Sequence, residues 1–278
     1  MYQAKLYSNY NGLQKNDAKY VLDNYFNLVK WNGDLDETVL DVGCGDGNVT
    51  IDLLLPLLPK NAEKLLGVDI SKDMIKFARD NNRREKVEYD VMDVGGVLDD
   101  VHLLDGNCFQ HIFSFYCLHW VQDQKQCFEN LYNLLDENGD LLITFLARNP
   151  IFTVYDNLSK NNRWAQYMKD VKKYLSPYHN LEDPEKELHK VMADVGFKVK
   201  KCELVDRTFI FHDLETWKQS VIAINPFQAR IPEGLRKDYF EDIFDEVRKL
   251  NCIIRNENNN EEKIETKYQL LVVYATKK

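Results

Sequence analysis

Short apolar runs alternate with stretches of helical periodicity along the first 150 residues. Five runs rich in aliphatic and β-branched side chains predict strands. They cover residues 38–42, 64–68, 87–91, 111–115 and 140–145. Amphipathic patterns between these runs predict helices over 48–58, from a capping Ser71 onward, and over 122–135. Strands that alternate with helices form a parallel sheet covered on both faces, so this half is predicted to be a doubly wound α/β unit.

The second half carries longer helical patterns and two further strand patterns. Helices are predicted over 183–195, where Gly196 ends the pattern, and over 213–224 and 232–250; strands are predicted over 197–205 and 267–275, with a polar tip over 256–262 between the last helix and the last strand. No linker composition interrupts the chain, which predicts one domain over 1–278, with a core over 15–150.

An aromatic stripe runs through residues 151–175, which are predicted to be helical. Such a stripe fits core packing and fits equally well a lid over a bound substrate. We expect helical insertions at about 151–180 and 213–250 to cover a substrate pocket.

Composition excludes several classes of function. The formal net charge of −9 disfavours non-specific nucleic-acid binding, which needs a basic surface. No stretch approaches the roughly 20 apolar residues of a membrane span, and the first residues lack an apolar signal region. The six cysteines form no CxxC pair and the six histidines are scattered, so we predict a cytoplasmic protein without a metal site. The composition leaves a homodimer open.

A glycine-rich turn follows the first predicted strand and opens the first predicted helix. Its sequence, Asp41-Val42-Gly43-Cys44-Gly45-Asp46-Gly47, has the spacing GxGxG with an acid two residues before the first glycine. Glycines there let the backbone turn tightly and approach a ligand closely. The dinucleotide fingerprint requires GxGxxG, which disfavours an NAD-dependent dehydrogenase. The pattern instead resembles motif I of class I S-adenosylmethionine-dependent methyltransferases.

Acids at the ends of the next two strands agree with such a nucleotide-like cofactor. Asp69 ends the second strand, where a carboxylate accepts the two ribose hydroxyls of an adenosine, and Ile70 can pack on the adenine. Asp93 follows the third strand and can accept from the adenine amino group. The predicted cofactor-binding residues are therefore Asp41, Gly43, Gly45, Asp69, Ile70, Asp93, Val94 and Phe115.

Two further segments narrow the resemblance. The segments 7–18, which contains Leu-Gln-Lys-Asn-Asp-Ala, and 115–121, which contains Cys-Leu-His-Trp, resemble those of insect juvenile hormone acid O-methyltransferases. The resemblance covers essentially the whole chain and implies a Rossmann-like class I methyltransferase fold with a mostly parallel seven-stranded sheet. It also implies methylation of the carboxylate of juvenile hormone acid or farnesoic acid, with S-adenosylmethionine as donor and S-adenosylhomocysteine as product. By position, Gln14 and Trp120 would tether that carboxylate.

The implied chemistry needs few reactive groups. A carboxylate is ionised at pH 7, so it can attack the sulfonium methyl group without a general base, and catalysis is mainly alignment. Gln14 and Trp120 can each donate an N–H to the carboxylate. A pocket-lining role is favoured for His119 over a role as base, and Cys44 and Cys117 are interpreted as small structural residues.

Two alternatives remain open at this stage. One is a class I enzyme that methylates another small apolar acid, or an oxygen or nitrogen elsewhere. The other is a protein that binds the cofactor or an apolar ligand without turnover. The presence of both Gln14 and Trp120 disfavours the second, because a pure binding protein needs neither.

Overall fold

One mixed sheet organises the molecule. The computed structural model describes residues 3–33, 35–98, 108–250, 252–255 and 262–277. In this part of the chain the strands are β1 (Glu37–Val42), β2 (Ala62–Asp69), β3 (Val87–Val91), β4 (Phe109–Phe115), β5 (Leu135–Arg148), β6 (Lys198–Phe211), β7 (Ile253–Arg255) and β8 (Glu262–Thr276). The order across the sheet is β3-β2-β1-β4-β5-β8-β6, and the short β7 pairs with β8. The seven strands of the main path confirm the predicted fold class.

Strand direction follows the connections. The first five strands pair in parallel, as βαβ crossovers require. β8 enters between β5 and β6 and is antiparallel to both. β1 lies between β2 and β4, which both follow it in the chain, so the strand order reverses between β1 and β4. In such sheets ligands bind outside the carboxyl ends of the strands at this switch point.

The helices cover both faces of the sheet. They are α1 (Ala4–Tyr10), α2 (Gly12–Tyr25), α3 (Lys72–Asn81), α4 (Gln124–Leu134), α5 (Pro150–Ser159), α6 (Pro184–Val195), α7 (Leu214–Ile224) and α8 (Glu233–Lys249). One buried apolar cluster packs α2, α5, α7 and α8 on one face, and a second packs α4 and α6 on the other. Alternate residues of β1 supply the two clusters: Val39 joins the first, whereas Leu40 and Val42 join the second.

Several predicted helix ends are confirmed by their capping geometry. The Ser71 hydroxyl accepts from the backbone N–H of Met74, and the Asp183 carboxylate accepts from that of Lys186. Gly196 ends α6 with φ 121°, a conformation that glycine adopts at little cost.

The local structure differs from the prediction in three ways. The helix predicted over 151–175 ends at Ser159, and two short 3₁₀ turns follow it at Ala165–Tyr167 and Val171–Tyr174. Strands β5, β6 and β8 are longer than predicted because bulges keep their pairing intact, for example between Val199 and Lys201. The helices α1 and α2 were not predicted. The polar tip predicted over 256–262 lies outside the described residues except for Glu262.

A buried polar network ties together the amino ends of β1, β4 and β5. The His111 ring contacts Asp140 Oδ1 at 2.7 Å through Nδ1 and Glu37 Oε1 at 3.1 Å through Nε2. Asp140 also accepts from the backbone N–H of Lys30 and from the Tyr274 hydroxyl, both at 2.9 Å. These bonds satisfy charges that burial would otherwise make costly. The network lies at the end of the sheet opposite the switch point.

No helix in the described ranges is long and apolar enough to cross a membrane.

Candidate active site

The glycine-rich turn lies at the carboxyl end of β1 and has a strained path that only glycine follows easily. Gly43 has φ 76° and Gly45 has φ 56°, both in the left-handed region. The Gly43 N–H donates to the carbonyl of Val68 at 2.7 Å, which anchors the turn to β2. A Cβ atom on Gly43 would lie 2.2 Å from Cβ of Cys117. The turn therefore packs directly against the segment that follows β4.

Asp41 supports this turn from inside. Its carboxylate is buried and accepts a 2.6 Å hydrogen bond from the Thr50 hydroxyl, at the start of the helical segment that follows the turn. Burial raises the pKa of Asp41 to about 7, and the Thr50 hydrogen bond opposes that shift. Its predicted role in cofactor binding is thus indirect in this arrangement: the side chain orders the turn.

Asp69 and Ile70 stand at the mouth of the crevice. The Asp69 carboxylate accepts from the backbone N–H groups of Gly45 at 3.1 Å and Ser71 at 2.8 Å, so it is fixed beside the turn. Ile70 is 63% exposed, an apolar side chain without packing on its outer face. An acid held in place beside an open apolar surface suits a ribose and an adenine ring. These residues fit an adenosine-containing cofactor.

The remaining predicted cofactor residues differ in exposure. Asp93 is exposed, and its carboxylate accepts from the backbone N–H of Gly95 at 3.0 Å. The Val94 side chain is buried in the apolar cluster beneath α4, while its carbonyl accepts from Asn130 at 2.8 Å. The Phe115 ring stacks on Phe113 in the opposite cluster. Of the three, Asp93 alone presents an open side chain at the strand ends.

A cavity adjoins the turn and reaches toward the helices of the second half. Its enclosed volume is about 80 Å³, and about 860 Å³ lies between its walls when the open solvent at its mouth is counted. Its walls are mostly apolar, and include Leu13, Phe152, Phe211, Trp217, Val221 and Val247. Four polar or N–H-bearing side chains line the part formed by α2 and the segment after β4: Gln14, Tyr116, His119 and Trp120. Tyr7, Asn149, Ser220 and Thr266 are polar residues on the other walls. The aromatic stripe of 151–175 contributes to the wall through Ile151 and Phe152 only, and its other apolar residues pack in the core.

Gln14 and Trp120 lie on the same cavity, as the resemblance implied. The Gln14 Oε1 atom is buried without a hydrogen-bond partner. Within the described residues, the Trp120 indole N–H also has no protein acceptor, and its ring packs against His119 with centroids 4.7 Å apart. Buried polar groups normally find partners, so the unsatisfied Oε1 at the cavity wall is a place for a hydrogen-bond donor. Rotation of the amide by 180° about its terminal bond would present its NH₂ group to an acceptor such as a carboxylate instead.

His119 is held as a neutral ring. Its Nδ1 accepts from the backbone N–H of Leu146 at 3.4 Å, so the proton of the neutral ring lies on Nε2. Burial lowers the pKa of His119 to about 3. A ring that is neutral at pH 7 and whose basic nitrogen already accepts from the backbone offers the cavity a donor. This geometry agrees with a pocket-lining role and gives no support to His119 as a base.

Tyr7 is a part of this site that was not among the residues predicted from the sequence. Its ring lines the cavity, and a Cβ on Gly45 would lie 3.6 Å from it. Two polar contacts join α1 and its end to the turn: Asn48 Nδ2 donates to the Ser8 hydroxyl at 2.9 Å, and Asn11 Nδ2 donates to Asp46 at 3.3 Å. The N-terminal helix therefore lies over the junction between the glycine turn and the cavity. The recognised segment 7–18 contained Tyr7, but a seven-residue helix carries too little periodicity to place it.

The described residues hold no group of three or more His, Cys, Asp or Glu side chains arranged to bind a metal ion. The cysteines near the site are also unsuited to nucleophilic chemistry. Burial raises the pKa of both Cys44 and Cys117, and nearby aspartates raise it further.

Comparisons with known proteins agree with this geometry. The family described as a methyltransferase domain matches residues 34–202. The juvenile hormone acid O-methyltransferase of Bombyx mori is 41% identical over 279 aligned residues, which cover 100% of this chain and 98% of that protein. The protein of the same name from Drosophila melanogaster is 39% identical, and the alignment covers 100% of this chain and 93% of that protein.

A solved structure shares the fold at low identity. Phosphoethanolamine N-methyltransferase 2 of Haemonchus contortus, solved with phosphomonomethylethanolamine and S-adenosylhomocysteine, has a TM-score of 0.54 at 16% identity. The match covers 94% of this chain and 53% of that one. This likeness concerns the fold, whereas the two insect proteins match over the full length.

Proposed function

We propose that this chain, which belongs to the juvenile hormone acid O-methyltransferase family of methyltransferase-domain proteins, methylates the carboxylate of a long apolar acid with S-adenosylmethionine as donor. Juvenile hormone acid is the substrate that the names of its insect relatives indicate. We extend the proposal to farnesoic acid, because the lining of the cavity suits a carboxylate on an apolar chain.

One observation carries this proposal. The cavity beside the glycine turn is apolar along most of its wall, and Gln14, His119 and Trp120 line it from α2 and the segment after β4. An amphipathic acid has the same distribution, with one ionised end and a hydrocarbon body. Apolar pockets with a few placed polar groups bind ligands of this kind in a single orientation. The carboxylate would then lie next to the glycine turn, where the cofactor is proposed to bind.

The chain's own residues would act by binding and alignment. The carboxylate is already ionised at neutral pH, so no residue needs to remove a proton from it. The N–H groups of Gln14 and Trp120 are proposed to donate to its two oxygens, and His119, whose proton lies on Nε2, lines the same cavity. Charged acceptors strengthen such hydrogen bonds. When bound, S-adenosylmethionine supplies a methyl group on a positively charged sulfur.

The cofactor site is proposed to consist of the glycine turn with Asp69, Ile70 and Asp93. Replacing Asp69 with alanine removes the acceptor for both ribose hydroxyls. We expect the affinity for S-adenosylhomocysteine to fall by about 1.5–3 kcal/mol, the range for hydrogen bonds to a charged group. Calorimetric titration measures this loss. Asp73→Ala is a matched control, because it removes an exposed carboxylate in the first turn of α3. Unchanged affinity in the Asp69 variant would contradict the ribose role.

Substrate length tests the apolar cavity. A radiolabelled methyl-transfer assay over a series of terpenoid and fatty acids should show the highest kcat/KM for chains near fifteen carbons. Each buried methylene that is removed should cost about 0.8 kcal/mol of binding free energy, which lowers kcat/KM roughly fourfold. Equal rates with acetate-sized or polyacidic substrates would exclude an apolar-acid enzyme. Binding of the acids without any transfer would favour the non-catalytic alternative.

A further inference from the structure

A single buried carboxylate joins three walls of the cavity, and the mechanism above does not use it. We propose that Asp17 is a positioning residue for the methyl transfer, because it holds the helix that carries Gln14 against the segment that carries Trp120. This role rests on the function proposed above. It concerns the relative placement of Gln14 and Trp120, the two proposed donors to the substrate carboxylate. Asp17 contacts neither of them.

The Asp17 carboxylate is hydrogen-bonded through both of its oxygens. Its side chain is 0% exposed. Oδ2 accepts from the Tyr116 hydroxyl at 2.5 Å and from the Tyr268 hydroxyl at 2.7 Å, while Oδ1 accepts from Arg207 Nε at 2.9 Å. A buried charge persists only when it is paired and hydrogen-bonded, and Asp17 has both kinds of partner.

The partners of Asp17 come from two walls other than its own. Asp17 lies one turn after Gln14 on α2, so the two side chains share one face of that helix. Tyr116 follows β4 directly, lines the cavity, and precedes Trp120 by four residues. Arg207 and Tyr268 are opposite each other on β6 and β8, the strands that bring Phe211 to the cavity. Asp17 therefore sets the distance between α2 and the segment after β4.

The backbone of Tyr116 shows why that segment needs an anchor. Its φ is 60°, a left-handed conformation that costs a non-glycine residue roughly 1–2 kcal/mol. Its N–H donates to the carbonyl of Thr144 at 2.9 Å, and its hydroxyl is bound by Asp17. Strained residues persist where surrounding contacts determine them. The bond from the Tyr116 hydroxyl to Asp17 fastens to α2 the turn that carries His119 and Trp120.

Both tyrosines remain donors at every physiological pH. Burial and the Asp17 carboxylate raise the pKa of Tyr116 and of Tyr268. An asparagine at position 17 could not replace the carboxylate. Its amide has one acceptor oxygen, so its NH₂ group would face either Arg207 or the two hydroxyls.

The test compares Asp17→Asn with a matched variant, Asp140→Asn. Asp140 is also buried, at 2% exposure, and also accepts from a tyrosine of β8, but it belongs to the network at the opposite end of the sheet. Both variants should lose thermal stability. We expect Asp17→Asn to lower kcat by tenfold or more with a smaller change in KM, since apolar contacts still bind the substrate. S-adenosylhomocysteine affinity should change less than twofold in both, and kcat should be retained in Asp140→Asn.

A double-mutant cycle separates positioning from general destabilisation. If Asp17 acts through the donors, Asp17→Asn should cost less than threefold in kcat when Trp120→Phe is already present. Tyr116→Phe, which deletes a single donor to Asp17, should behave in the same way and serves if Asp17→Asn does not fold. The proposal is overturned if Asp17→Asn lowers kcat equally in the wild-type and Trp120→Phe backgrounds, or if Asp140→Asn lowers kcat as much as Asp17→Asn does. Either result leaves the proposed function intact as long as the wild-type protein methylates the acids. A wild-type protein that methylates none of the acids overturns the proposed function itself.

Discussion

Replacing Trp120 with phenylalanine should lower kcat/KM for farnesoic acid by roughly ten- to a thousandfold, by analogy with the loss of one preorganised donor. The ring is largely kept, so the apolar contact with Phe152 survives, while the indole N–H is deleted. Gln14→Leu should have an effect of the same order, because it removes the amide NH₂ group that is proposed to donate to the carboxylate. Steady-state kinetics on purified protein measure both losses.

The controls for this prediction are binding, stability and pH. S-adenosylhomocysteine affinity and melting temperature should change little in either variant. Trp31→Phe makes the same chemical change beside His111, at the opposite end of the sheet, and should leave kcat/KM intact. Because burial lowers the pKa of His119 to about 3, it should give no basic limb near pH 6–7. If Trp120→Phe and Gln14→Leu kept wild-type rates while His119→Ala abolished activity, the tether would be wrong.

Replacing Gly43 with alanine should disable the cofactor site. The new Cβ would lie 2.2 Å from Cβ and 2.4 Å from Sγ of Cys117, on a backbone with φ 76°. The left-handed conformation and the overpacking together should cost about 2–5 kcal/mol of folding free energy. Since the turn itself must move to relieve the contact, S-adenosylhomocysteine affinity should fall roughly a hundredfold or more, which is ~3 kcal/mol. Calorimetry and thermal unfolding measure the two losses.

Two comparisons isolate the cause of that loss. An alanine at Gly234 meets no atom within 4 Å and lies in the first turn of α8, so Gly234→Ala should be neutral or slightly stabilising. Adding Cys117→Gly to Gly43→Ala removes the contacted side chain and leaves the Cys117 Cα at 3.5 Å, an ordinary contact. This pair should recover much of the affinity, relative to Cys117→Gly alone. Full affinity in Gly43→Ala would show that the turn does not cradle the cofactor.

Local patterns predicted most of the architecture, because the elements concerned satisfy local rules. The run 38–42 became β1 and the Ser71 cap became the start of α3, since strand alternation and capping are encoded within a few residues. Residues 160–175 departed from their helical pattern because tertiary contacts replace helical ones there. The indole of Trp164, for example, donates to Asp242 on α8 at 2.7 Å.

The candidate site divides in the same way. The glycine turn and Asp69 were predictable because a strand end followed by glycines indicates a cofactor crevice without long-range information. The roles proposed for Asp17 and Tyr7 could not be predicted, because they depend on contacts between residues far apart in the chain. In the sequence Asp17 is one acid in a polar segment, and its partners Tyr116, Arg207 and Tyr268 are brought to it by the sheet.

The insertion of β8 between β5 and β6 also orders the assembly of the molecule in time. As a chain is synthesised, β1 to β5 can pair as soon as they emerge, since each finds its neighbour among earlier strands. β6 has no place in the sheet until β8 follows it, and the hydrogen bond between Asp17 and Tyr268 closes a separation of 251 residues. Contacts of such long range form late and slow the folding of the regions that depend on them. The cofactor half should therefore mature first on the ribosome, and the substrate half only after β8 has been made.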